Sequence, residues 1–136
     1  MNTYAREMQE YKAQSINTMT PGELLILLYD ELLKRLKRGN LLLEQKDYSR
    51  FEDELTRCQD IIRYLKKNLN RKYSISGNLV QLYDYFNYQL IRAKAGRKKE
   101  IVDEVTGFVT ELRDSFRQAN QMTVKMNGGL REGNLE

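Results

Sequence analysis

YKAQSINTMTPGELLILLYDELL, residues 11–33, decides how the rest of this chain is read. Within it, Thr20-Pro21-Gly22-Glu23 has the form of a helix start. Thr20 can cap a free backbone N–H, Pro21 sits where its missing donor does no harm, and Glu23 can complete a capping box. Five apolar residues follow without a break, Leu24, Leu25, Ile26, Leu27 and Leu28, and then Tyr29. An amphipathic helix shows an apolar stripe on one side, so a continuous run is apolar nearly all round. Such a turn needs cover on more than one side. It lies deep in its own protein or offers apolar surface to something else, and that choice is the functional question.

Working outward, Leu25, Tyr29, Leu32, Leu36, Gly39 and Leu43 recur at alternating four- and three-residue spacing, the seam of a bundle helix over about 21–43. Gln45-Lys46-Asp47 is a short polar link. Ser49 and Glu52 form a second capping box ahead of the seam Phe51, Leu55, Cys58, Ile62, Leu65 and Leu69. Residues 68–77 are polar and predict a loop. A third helix carries Leu79, Tyr83, Phe86, Leu90 and Ala93 and ends near Gly96. The fourth carries Ile101, Val105, Phe108, Leu112, Phe116 and Ala119 and fades beyond Met126. Short links make successive helices antiparallel neighbours. The expected fold is all-α, an antiparallel up-down-up-down four-helix bundle over 20–126, with an N-terminal segment (1–19) packing on it and a disordered tail (127–136). The tripeptide Leu-Tyr-Asp occurs at 28–30 and again at 82–84, on helices that this order makes parallel and diagonally related.

Composition narrows the function classes. The chain has 136 residues, one Pro, one Cys (Cys58) and no His. Without His the commonest general base and most transition-metal sites are lost. One Cys builds neither an intrachain disulfide nor a zinc site, and no glycine-rich phosphate loop is present. Nothing marks a catalytic pair of carboxylates. No enzyme, cofactor or metal is expected. No apolar run approaches the roughly 18–20 residues of a membrane span, and residues 1–12 lack the plan of a signal peptide. A cytoplasmic protein with no membrane contact is expected.

The net charge of +4 and a pI of about 9.1 are mild for a nucleic-acid binder. Lys34, Arg35, Lys37 and Arg38 should gather at one end of the bundle with Arg92, Lys94, Arg97, Lys98 and Lys99. Acidic Asp47, Glu52, Asp53 and Glu54 come to that end too. Helix dipoles account for such a distribution. A basic adaptor for nucleic acid or an acidic protein is the alternative it leaves open, although no aromatic platform interleaves with the cations.

The helices also carry more apolar residues than one core uses. Leu24, Ile26, Leu27, Leu28, Leu33, Leu41 and Leu42 lie off the first seam, Ile61 and Tyr64 off the second, and Val80, Leu82, Tyr85, Tyr88 and Ile91 off the third. Together they predict an apolar groove or an oligomer interface. Ahead of the bundle, Tyr4, Met8 and Tyr11 are spaced four and three apart, and Ile16 and Met19 follow. That segment is too short for stable helicity alone and needs a surface to fold on.

These residues resemble a known family. Tyr11, Ser-Ile-Asn-Thr at 15–18, Thr-Pro-Gly-Glu-Leu at 20–24 and Leu-Tyr-Asp at 28–30 are similar to the N-terminal signature of the FliS family of flagellar secretion chaperones. Asn78-Leu79 with Leu82-Tyr83-Asp84-Tyr85 resembles the family's second landmark, and Leu112-Arg113-Asp114 its final helix. Glu31 stands where the family usually has a small residue, and Phe116 where a Trp is typical. The resemblance implies an export chaperone that binds the C-terminal segment of flagellin, prevents premature polymerisation and delivers the subunit to a component of the flagellar export gate. A monomer or weak homodimer is expected, with Tyr4, Met8, Tyr11, Ile16, Thr18, Leu24, Leu28 and Tyr83 as its partner-binding residues.

Overall fold

The computed structural model describes residue 6 and residues 19–135, with side chains through residue 125. Tyr4, Met8, Tyr11, Ile16 and Thr18 lie outside the described residues. Among the described residues four helices follow one another: α1 Pro21–Glu44, α2 Tyr48–Lys67, α3 Ile75–Gly96 and α4 Lys99–Leu135. No strand occurs among the described residues. α1 packs on α2 and α4, and α3 packs on the same two helices, so α1 and α3 face each other across the diagonal. The α1–α4 contacts display the antiparallel register. Lys99 pairs with Glu44, Asn40 donates to Asp103, and Arg113 pairs with Asp30, the numbers rising on α4 as they fall on α1.

Local chemistry sets the helix ends. Thr20 is the N-cap of α1, its hydroxyl accepting from the Glu23 N–H at 3.2 Å, and Pro21 occupies the first turn. The second cap differs from expectation. Asp47, rather than Ser49, caps α2 and accepts from the Arg50 N–H. Asp caps as well as Ser does, and the earlier start shortens the link after α1. α3 begins at Ile75, inside the stretch expected to be loop, with Gly77 already helical. The α3–α4 turn places Arg97 in the left-handed region at φ 53°, where glycine is usual. Its guanidinium lies 3.7 Å from the Tyr48 ring centroid, a cation–π contact that ties this turn to the start of α2. The helical backbone of α4 continues to Leu135.

The core is formed by Tyr29, Leu32 and Leu36 of α1, Phe51, Leu55, Cys58 and Ile62 of α2, Tyr83, Phe86 and Leu90 of α3, and Val102, Val105 and Val109 of α4. Three seams therefore run where the spacing puts them, apart from Leu42 replacing Leu43 as the last buried residue of α1. The α4 seam is corrected by one position. Val102 and Val109 are fully buried, whereas Phe108 is 41% exposed and Ala119 faces solvent. Both sets satisfy the three-four spacing, and the bulk of Phe108 drew the reading to the wrong one. Its ring instead lies at the α3–α4 edge against Phe86 and Tyr85.

Gly39 and Gly107, both inside helices, differ. A Cβ on Gly39 would meet Leu55 Cδ2 at 3.5 Å, which fits close approach of α1 to α2. A Cβ on Gly107 would meet nothing within 4 Å. Gly107→Ala should therefore stabilise the bundle by about 0.5–1 kcal/mol, read as a higher denaturant midpoint.

Burial pushes the Cys58 thiol up from 9.0 to about 12, with Glu54 adding to the effect, and raises the Tyr29 and Tyr83 phenols. Each group is neutral when protonated, so the unfolded chain releases these protons first. Stability should be full below pH 9 and fall as pH rises through the alkaline range. In the folded protein Cys58 should resist thiol reagents at pH 8 and react on denaturation. Reaction at the rate of a free thiol in the native state would contradict this burial.

A candidate client groove

The apolar turn that opens α1 lines a groove of about 400 Å³. Leu24, Leu25 and Leu28 form one wall, and Leu79 and Tyr83 of α3 the other. Leu65, Leu69 and Phe116 of α4 also line the groove, together with the polar Asn68, Asn70 and Ser76. The α2–α3 link adds Tyr73 and Ile75, both largely exposed. Pro21 and Gly22, the first residues of α1, line it as well.

Three of the expected binding residues, Leu24, Leu28 and Tyr83, are thus brought to one cavity. Leu24 and Leu28 are half-buried, and Tyr83 is only 1% exposed. Sequence reading missed Leu65, Leu69, Tyr73, Ile75 and Phe116 as part of the site. Leu65, Leu69 and Phe116 had been assigned to seams, which end here and turn from core to groove. Tyr73 and Ile75 stood in a link read as polar, although two large apolar residues within four positions were a signal.

The floor is firm. The Tyr29 ring stacks on Phe116 at 5.7 Å between centroids and 17° between planes. Tyr29 and Tyr83 meet across the diagonal with hydroxyl oxygens 2.5 Å apart. They are the central residues of the two Leu-Tyr-Asp tripeptides. The Asp residues that follow also play alike parts, Asp30 pairing with Arg113 and Arg117 of α4, and Asp84 with Lys66 of α2.

Other surfaces are less suited to an apolar ligand. A depression of about 470 Å³ between α1 and α4 is edged by the polar pairs Lys99–Glu44 and Asn40–Asp103, the Asn40 Oδ1 having no partner among the described residues. At the basic end, buried Glu54 pairs with Arg35 at 3.2 Å and Arg38 at 3.6 Å, and Glu31 adds a second partner for Arg35. Lys94 donates to Thr56 and Gln59. Several cations expected to form a basic face are therefore engaged within the bundle. Replacing Arg35 by Met would leave Glu54 buried with only Arg38 nearby. That should lower stability by about 2–4 kcal/mol, the loss shrinking when Glu54 is replaced by Gln as well.

The family described as "Flagellar protein FliS" matches residues 4–123. The chain belongs to the FliS family. It is 35% identical over 119 residues to the flagellar secretion chaperone FliS of Bacillus subtilis (strain 168), covering 88% of this chain and 90% of that protein. It is 28% identical over 107 residues to the flagellar secretion chaperone FliS of Salmonella typhimurium, covering 76% and 79%. A solved structure titled "Crystal structure of flagellar chaperone from bacteria" shares the fold at a TM-score of 0.72, with 23% identity over 86% of this chain and 97% of that one. The family match spans α1, α2, α3 and α4 as far as residue 123, and among the described residues no helix is long and apolar enough to cross a membrane.

Proposed function

We propose that this chain is a cytoplasmic export chaperone that holds the C-terminal segment of flagellin in the α1–α3 groove and passes it to a component of the flagellar export gate. The observation that carries the reading is the groove itself, in a member of a chaperone family. A client segment that is disordered when free loses conformational entropy as it folds on its chaperone. It therefore needs a continuous apolar surface as compensation. Leu24, Leu28, Leu65 and Leu79 supply that surface on rigid helices. Covering the client's apolar stripe prevents it from packing against other subunits. The chaperone acts as a monomer or weak homodimer and needs no chemistry beyond binding.

Residues 1–19 would compete for the same groove, since Tyr4, Met8, Tyr11, Ile16 and Met19 are an apolar set that directly precedes α1, whose first residues Pro21 and Gly22 line the groove. A competing segment lowers apparent affinity by the fraction of time the groove is open. Deleting residues 1–9 should tighten binding of a flagellin C-terminal peptide in a calorimetric titration and make the free protein less soluble. Weaker binding after the deletion would make the segment a clamp.

The reading is tested by capture of flagellin from native cytoplasm followed by titration at rising salt. Apolar burial predicts affinity that holds or strengthens with salt, whereas a phosphate-binding partner would be lost steeply. Recovery of RNA, or of no partner at all, would count against the chaperone.

A further inference from the structure

The floor of the groove holds a polar pair with one hydrogen left over. Tyr29 and Tyr83 are 0% and 1% exposed, and burial keeps both phenols protonated at neutral pH. Each phenol brings one O–H and accepts through its oxygen. Their mutual hydrogen bond uses one of the two hydrogens, and either oxygen can be the donor. Among the described residues neither hydroxyl has another partner. A buried donor without an acceptor is unfavourable, and native structures rarely leave one.

The two tyrosines are not equivalent. Tyr83 is part of the groove wall, whereas Tyr29 lies behind it under the Phe116 ring. If Tyr83 donates to Tyr29, the remaining hydrogen is shut in the core. If Tyr29 donates to Tyr83, the remaining hydrogen belongs to the residue that borders the groove. Only the second arrangement lets a bound group satisfy the pair.

We propose that the groove selects a helix with a neutral hydrogen-bond acceptor, an amide or hydroxyl oxygen, set inside its apolar stripe, and that this oxygen takes the spare hydrogen of Tyr83. The inference rests on the client-groove reading above. The backbone carbonyls within a helix are already occupied, so the acceptor must be a side chain. A carboxylate does not fit, because the neighbours Leu24, Leu28 and Phe116 offer no charge to offset its desolvation. A site with a buried donor discriminates strongly against a ligand that leaves it unpaired, which gives an otherwise greasy groove a means of choosing its client and its register.

The test titrates the full chain with a flagellin C-terminal peptide and with copies in which each Asn, Gln, Ser or Thr is replaced in turn by Ala. One substitution should weaken binding by about 3- to 10-fold, the range of one net hydrogen bond. In the Tyr83→Phe protein that substitution should have no further effect, while the parent peptide itself binds more weakly by the same factor. Tyr29→Phe leaves the Tyr83 hydroxyl in place, so it should lower the melting midpoint yet bind the peptide at near-parental affinity. Should Tyr83→Phe fold poorly, ring-labelled tyrosine in the parent serves instead, with the Tyr83 Cζ resonance expected to shift on saturation with the parent peptide and to shift less with the substituted one. Equal loss in both tyrosine variants, or undiminished binding by Tyr83→Phe, overturns the proposal and makes the pair a brace only. Failure of the parent to bind the peptide, or binding that survives Leu28→Asp, overturns the groove reading itself.

Discussion

The double substitution Leu24→Asp, Leu28→Asp is expected to weaken binding of a flagellin C-terminal segment by at least about a hundredfold while the protein stays folded. Both leucines line the groove and both are only half-buried. In the free protein the new carboxylates turn toward water. In a complex they would sit beneath a client helix with no cation within the apolar walls. Burying an unpaired charge carries a free-energy penalty of several kcal/mol, and each 1.4 kcal/mol is tenfold in affinity. A thermal melt and a titration on the same sample check both halves. A collapsed melt would place these side chains in the core, and parental affinity would remove this face from the client site.

The second large effect belongs to the floor. Tyr29→Ala should destabilise the bundle by about 3–5 kcal/mol, the range for deleting a fully buried aromatic ring. Tyr29 is 0% exposed, stacks on Phe116 and spans the diagonal to Tyr83. Its loss removes packing from three helices at once, and the cavity cannot collapse because α2 and α4 hold α1 and α3 apart. Tyr29→Phe, which keeps the ring, should lose only about 1–2 kcal/mol for the missing hydroxyl. Chemical denaturation separates the two. A small loss for Tyr29→Ala would mean that the ring is not packed as described.

The distance between these variants reflects how the sequence encodes the molecule. The helices were legible because three-four spacing repeats over many turns, and Pro21 lies where a helix starts. The core of α2 and α3 followed directly, since each has one dominant stripe. α4 offered two overlapping stripes, and only packing against Phe86 shows that Val102 and Val109 point inward while Phe108 stands at the edge. Asp47 and Ser49 are both good caps by residue type, and only the fold shows that Asp47 accepts from the Arg50 N–H.

The groove was legible as an excess of apolar residues on α1, but not as a place. Leu24 and Leu28 come from its first two turns, Tyr83 from the middle of α3 and Phe116 from the middle of α4. No local pattern joins residues so far apart. Their meeting is a consequence of the diagonal relation of α1 and α3 and of the α2–α3 link, whose Tyr73 and Ile75 extend the wall. The tyrosine pair was similarly hidden. The repeated tripeptide hinted at a shared role, yet only the fold brings the two hydroxyls together.

The most direct test of the client groove is chemical-shift mapping of the isotope-labelled full chain as a flagellin C-terminal peptide is added. The account predicts that the methyl groups of Leu24, Leu28, Leu65 and Leu79 and the rings of Tyr83 and Phe116 respond together and saturate at one peptide per chain. A response confined to the basic end around Arg38, Lys94 and Lys99, with those six residues unmoved, would contradict it.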